Sequence, residues 1–152
     1  GHPKILWERH YFFKRLRLKI PFISDPSPGG YSMDANRNGI NDSWEHLAEA
    51  CCHAPGWAFE SCSWGKFQIM GAWWEKLGYP SAADFAWSMR ESEAGHYEAL
   101  VRYVERFGLV PAIRAIDGNP ANCVAFARGY NGKGFAKYSY DSKIAAAWRK
   151  QG

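Results

Sequence analysis

The sequence lacks any apolar run near the roughly 18 residues that cross a bilayer, so no segment reads as a membrane-spanning helix. Its first residues show no basic-then-apolar leader pattern. There is no internal repeat and no low-complexity linker, which argues against solenoids and tethered modules. Cysteine is scarce. Of Cys51, Cys52, Cys62 and Cys123, three fall within twelve residues, and the adjacent pair is awkward to bridge to itself. Free, partly buried thiols are expected, with a bridge from Cys62 to one of the pair as the alternative. Paired C-x-x-C spacing is missing too, so His46, Cys51, Cys52, His53 and Cys62 make a weak zinc cluster. Charge of one sign is also modest, at +4 net, too diffuse to argue for a nucleic-acid partner. The one basic cluster, Lys14, Arg15, Arg17 and Lys19, alternates with apolar residues and reads as a solvated face.

What is abundant is apolar and aromatic surface. The 152 residues are 47% hydrophobic and 16% aromatic, with eight tryptophans, which is enough to fold one domain around a core. Any single ring reads first as core, but flat apolar faces also suit stacking on sugar rings. The small positive excess favours approach to an anionic polymer.

Periodicity points to a mainly α, α+β single domain with a small irregular or β lobe in its first third. Lys4 to Trp7 reads as a short strand and Tyr11 to Leu16 as a short helix. Pro21 to Gly30 and Asp34 to Asp42 read as loops. A helix is expected from Ser43, with Trp44, Leu47, Ala48 and Cys51 at helical spacing and Pro55-Gly56 as its stop. Lys66 to Leu77 reads as an amphipathic helix with Phe67, Met70, Trp74 and Leu77 on one stripe. Ser81 caps a helix carrying Phe85 and Trp87. Ser88 with Glu91 reads as the capping box of the next, which presents Tyr97, Leu100, Val104 and Phe107 and ends at Gly108. Pro120 to Arg128 and Asp141 to Lys150 read as two more helices.

Three segments carry chemistry. Ile5-Leu6-Trp7-Glu8-Arg9-His10 sets a carboxylate in an aromatic stretch. Burial beside Trp7 and a neighbouring guanidinium would pull it in opposite directions, and an ion pair with Arg9 is the structural alternative. Ser63-Trp64-Gly65-Lys66-Phe67-Gln68 places the Gln68 amide, donor and acceptor at once, beside apolar residues, where it suits sugar hydroxyls or an N-acetyl group. Ala127-Arg128-Gly129-Tyr130-Asn131-Gly132 ends a helix in a glycine turn that presents Tyr130 and Asn131.

In order and spacing these segments resemble the N-acetylmuramidase family of modular phage endolysins. The matching stretches are Gly1 to His10, Ser63 to Gly71, Ala127 to Gly132 and Tyr140 to Lys143, with Pro28-Gly29-Gly30-Tyr31 and Met89 to Glu93 also familial. The likeness covers nearly the whole chain. It implies a lysozyme-like fold and hydrolysis of the β-1,4 bond between N-acetylmuramic acid and N-acetylglucosamine in peptidoglycan glycan strands. It implies Glu8 as a supporting carboxylate, Tyr130 as a functional hydroxyl, and Ser63, Trp64, Gln68 and Asn131 as substrate contacts. It implies synthesis in a bacterial host's cytoplasm and action on the wall, an enzyme with no cofactor in the chemistry and no nucleic-acid or membrane partner. The nearest alternatives are a lytic transglycosylase and a wall-binding module that has lost the chemistry.

Similar proteins carry their principal glutamate in an E-S-x-G-x-G-F segment ahead of the motif found here at Gly1 to His10. The resemblance therefore implies that the acid-bearing helix precedes residue 1 or comes from a second chain, so that residues 1–152 alone have weak or no activity. Glu60-Ser61 imitates that dipeptide but reads as a helix end.

Separately, Asp34 to Glu45 matches D-x-[DN]-x-[DN]-G-x5-E. Oxygen ligands would come from Asp34, Asn36, Asn38 and Asp42, a main-chain carbonyl at Ile40, and both oxygens of Glu45, with Gly39 making the turn. A structural calcium ion is one reading; an Asx-rich turn is the other.

Overall fold

The computed structural model describes residues 2–151, which form two compact units meeting in sequence at Leu100 and Val101. In the first unit a strand, β1 (Ile5–Trp7), buries Ile5 and Trp7 and leaves Leu6 half-exposed, the period-two pattern of a strand with one wet face. It pairs antiparallel with β2 (Cys62–Trp64), which pairs with β3 (Ile69–Met70), giving the order β1-β2-β3. Leu6 lies opposite Ser63, and Trp7 opposite Cys62.

Around this sheet stand four helices. The first is α1 (Arg9–Leu16), which buries Phe12 and stops at Arg17 in the left-handed region. Helix α2 (Asp42–Cys51) is capped by Asn41, whose side chain accepts from Ser43 N at 2.9 Å. Two further helices are α3 (Pro55–Glu60) and α4 (Ala82–Glu91). Ser81 caps α4 as expected, accepting from Asp84 N at 3.0 Å, and Phe85, Ala86 and Met89 face inward. The core centres on Trp64, which stacks on Phe59 at 5.5 Å and meets the edge of Trp44 at 5.8 Å. Trp7 packs on Phe12 and donates Nε1–H to Ile23 O at 3.1 Å. The loop expected between Pro21 and Gly30 is present, pinned by a bridge between Ile20 and Ser24.

Helix α5 (Glu93–Arg106) carries the chain into the second unit. There α6 (Val110–Arg114), α7 (Pro120–Asn131), a 3-10 segment (Lys133–Tyr138) and α8 (Tyr140–Arg149) pack around Cys123, Ala127, Phe135 and Ala145. Gly129 lets α7 close on Leu109, where an added Cβ would sit 2.3 Å from Leu109 Cδ2.

Two expectations need correcting. Lys66 to Leu77 is not a helix. Gly65 and Gln68 both adopt positive φ, the chain turns, and Ile69 and Met70 return along β2 before a 3-10 turn at Gly71–Trp73. The helical spacing of apolar residues is real, but pairing with β2 overrides it. Pro55 lies beyond the end of α2, as expected, and it also opens the next helix: it sits in the first turn of α3, where its missing N–H costs nothing, as Pro111 does in α6. Ser88 does not cap α5; it lies within α4 and donates to Phe85 O at 2.8 Å, while Ser92 Oγ accepts from Gly95 N at 3.2 Å. All four cysteines are free: Cys62 and Cys123 buried, Cys51 half-buried and Cys52 exposed.

Candidate active site around Glu8

Glu8 occupies the step between β1 and α1. Its main-chain N–H donates to Ser61 O at 2.9 Å, which extends the β1–β2 pairing by one residue, and its carbonyl accepts from Tyr11 N. Its side chain makes no capping bond, so the carboxylate is free to point outward, 16% exposed. Tyr31 Oη donates to Oε2 at 2.7 Å, and His10 Nδ1 lies 3.4 Å from the same oxygen. Burial and the Glu8 contact push the Tyr31 phenol up to about 12. Burial, partly opposed by the Glu8 charge, lowers His10 and favours its neutral form. Arg9 is turned to the Pro21–Gly30 loop, where Nε donates to Ser27 O at 3.0 Å. Arg9 is thus a clamp on that loop.

Ser63, Trp64 and Gln68 gather on the same sheet. Gln68 Nε2 donates to Gly65 O at 2.9 Å and Lys4 O at 3.3 Å, and Oε1 accepts from Ser63 Oγ at 3.0 Å. Trp64 is 2% exposed and donates Nε1–H to Phe59 O at 3.0 Å. The polar atoms of all three are engaged within the protein. Two cavities open beside the start of β1. One, of about 450 Å3, is lined by Ile5, Leu6, Met33, Ser43, Trp44 and Gln68 among others. The other, of about 300 Å3, is lined mainly by apolar groups of Pro3, Trp44, Phe59, Trp64, Ala86 and Trp87.

In the second unit, Tyr130 stacks on Phe126 at 5.4 Å and meets Tyr103 edge-on at 5.1 Å. Burial pushes its phenol well above the usual value. Asn131 is exposed at the last turn of α7, which Gly132 closes with positive φ and a bond from its N–H to Arg128 O.

The Asp34–Glu45 loop folds on its own side chains. Asp34 accepts from Asn38 N at 2.9 Å and Gly39 N at 3.0 Å, and Asn38 Oδ1 accepts from Ile40 N at 2.8 Å. Asn36 and Asn38 both turn their amides to the Glu45 carboxylate, at 3.1 and 2.7 Å. Asp42 is buried and receives Ala35 N on both oxygens, at 3.0 and 3.1 Å, so it closes the loop from inside. A hydrogen bond from Ser32 holds its carboxyl below the usual range. Among the described residues no group of three His, Cys, Asp or Glu side chains is placed to hold a metal, and the sparse zinc cluster is not assembled.

The N-acetylmuramidase family model, Muramidase, matches residues 1–151. The chain belongs to this family. Among solved structures the chain is similar to the "Crystal structure of Burkholderia AP3 phage endolysin", with a TM-score of 0.82 and 36% identity over 99% of this chain and 56% of that one. It therefore spans just over half the length of that endolysin chain. No curated protein sequence matches it significantly. The likeness agrees with the mainly helical, lysozyme-like architecture and small β lobe.

The sequence motifs singled out Glu8 but not the residues that surround it. Tyr31 stands twenty-three residues away, and nothing in its spacing points at Glu8. The available signal was the paired glycines before it: Gly29 and Gly30 both take positive φ, and a Cβ on Gly30 would lie 2.9 Å from Arg9 Nη1. A loop pressed onto the residue after Glu8 delivers its next side chain to Glu8.

Proposed function

We propose that the chain is the glycan-cleaving domain of an endolysin-type peptidoglycan hydrolase, acting on the β-1,4 bond between N-acetylmuramic acid and N-acetylglucosamine. The family match across residues 1–151 carries this reading. The chemistry needs a carboxylic acid to protonate the leaving oxygen and a second group to serve water or the cation-like transition state. Glu8, held by the Tyr31 hydroxyl and open to solvent at one edge, suits the second task. Tyr130 is assigned a hydroxyl role and exposed Asn131 a contact with glycan, while Ser63, Trp64 and Gln68, bonded within the protein, brace the sheet behind the site.

The proton donor is assigned to a segment or chain outside these residues. Lysozyme-like acids keep their proton in an apolar setting. The carboxylates of the first unit that are mostly buried are engaged otherwise: Glu8 with Tyr31, Asp42 with Ala35 N, and Glu60 with Arg15 at 2.9 Å and Trp74 Nε1 at 3.0 Å. Glu60 is the helix end that its sequence suggests, closing α3. The apolar cavity beside Pro3 and Trp44 offers a seat for the donor-bearing segment. Synthesis in the host cytoplasm, action on the wall and a calcium ion ordering the Asp34–Glu45 loop belong to the same proposal. The match of Asp34 to Glu45 to the spacing of a calcium-binding loop supports the ion.

Wall-lysis assays test the proposal. The 152-residue chain alone should release little product, and lysis at ordinary muramidase rates would overturn the external donor. With the donor supplied, mass spectrometry should find reducing N-acetylmuramic ends; 1,6-anhydro ends would replace hydrolysis by transglycosylation.

A further inference from the structure

Both groups that approach the Glu8 carboxylate approach the same oxygen. Tyr31 donates to Oε2, and His10 Nδ1 lies 3.4 Å from it. That nitrogen is buried and has no hydrogen-bond partner among the described residues. A bare Nδ1 would set its lone pair against a carboxylate oxygen, whereas an Nδ1–H would be turned toward an acceptor. Tyr31 is brought in by a held loop. Arg9 bonds Ser27 O, and its guanidinium lies against Gly29 and Gly30, the two residues before Tyr31.

We propose that Tyr31 and His10 are positioning residues for Glu8: they grip Oε2 and leave Oε1 to meet water or substrate, while Arg9 holds the loop that carries Tyr31. The inference rests on the reading of Glu8 as the supporting carboxylate for its consequence in catalysis, but the contact can be tested without catalysis. A carboxylate fixed this way has one oxygen with a set direction, which serves an acceptor in a reaction where small misplacements are costly. The other ionisable groups near this cluster are Arg9 and Lys14 from α1, and the buried Cys62 thiol from β2.

Nitrogen-15 NMR of the 152-residue chain reads the His10 tautomer directly, and carbon-13 tyrosine NMR reads the Tyr31 phenol. The expected results are an Nδ1–H imidazole and a Tyr31 midpoint near 12 that moves toward the free-phenol value of about 10 in Glu8→Gln. An Nε2–H tautomer in the wild type would overturn the His10 assignment without any variant. A Tyr31 midpoint unmoved in folded Glu8→Gln would overturn the other. In wall-active protein, Tyr31→Phe and His10→Leu should lower kcat roughly tenfold to a hundredfold with KM unchanged. His10→Asn, whose amide N–H stands near the Nδ1 position, should restore most of it; a change confined to KM would refute positioning. An inactive wild type, even with its proton donor supplied, would sink the proposed function while leaving the NMR result to decide the contact.

Discussion

Replacing Gly71 with alanine should damage this protein far more than its place in a short 3-10 turn suggests, because the residue is buried against main chain. An added Cβ would lie 2.1 Å from Phe59 O and 3.0 Å from Trp64 Nε1. Carbon–oxygen contacts settle at about 3.3 Å or more, so something must move by roughly 1 Å. The obstacle is main chain at the end of α3, not a flexible side chain, and that carbonyl also accepts the Trp64 indole N–H at 3.0 Å. Overpacking of this kind costs about 1–3 kcal/mol. Stranding the buried indole donor adds about 1–3 kcal/mol. The sum, about 2–6 kcal/mol, lowers the melting temperature by about 4–24 °C in a chain of this size. Thermal unfolding followed by tryptophan fluorescence measures it. Gly56→Ala is the control: it lies in α3, its Cβ would meet nothing within 4 Å, and alanine there should gain up to about 1 kcal/mol. Gly71→Ala melting within about one degree of wild type would refute the packing argument.

Millimolar calcium should raise the melting temperature of the wild-type chain and leave Glu45→Gln unmoved; calorimetry without heat and an unchanged wild-type melt would dismiss the ion. Alkylation of the folded chain, read by mass spectrometry, should label exposed Cys52 first and spare Cys62 and Cys123. Both of the latter are fully buried, and burial also pushes the Cys62 thiol up. Labelling of Cys62 at the rate of Cys52 would contradict its place in β2. On the alkaline side, the raised Tyr31 and Tyr130 phenols stay neutral in the fold while unfolded tyrosine ionises. Their stabilisation is therefore complete below about pH 10; the Tyr31 part is lost as pH rises through about 12 and the Tyr130 part only above that. A melting temperature flat from pH 9 to 12 would show, on this ordinary-tyrosine scale, that neither phenol is shielded.

Several helices were legible in the sequence: α2 from the spacing of Trp44, Leu47, Ala48 and Cys51, α4 behind its Ser81 cap, and α7 from Pro120. The Lys66–Leu77 stretch was not, and the reason reaches into the site. Its apolar spacing fits a helix, but Ile69 and Met70 gain a ladder with β2 that a local pattern cannot reveal, and Gln68 takes a left-handed φ of 52°. A non-glycine residue held there needs compensation from its surroundings. Gln68 has it, for its amide ties Lys4, Ser63 and Gly65 together across all the backbone that meets at the turn. The same placement explains why a side chain legible as a sugar contact is committed inside the protein. Ser63, which shares that bond, stands opposite Leu6, two residues before Glu8. The amide thus braces the strand that carries the carboxylate. Long-range pairing, not local propensity, connects the second motif to the first, and only the folded chain displays that pairing.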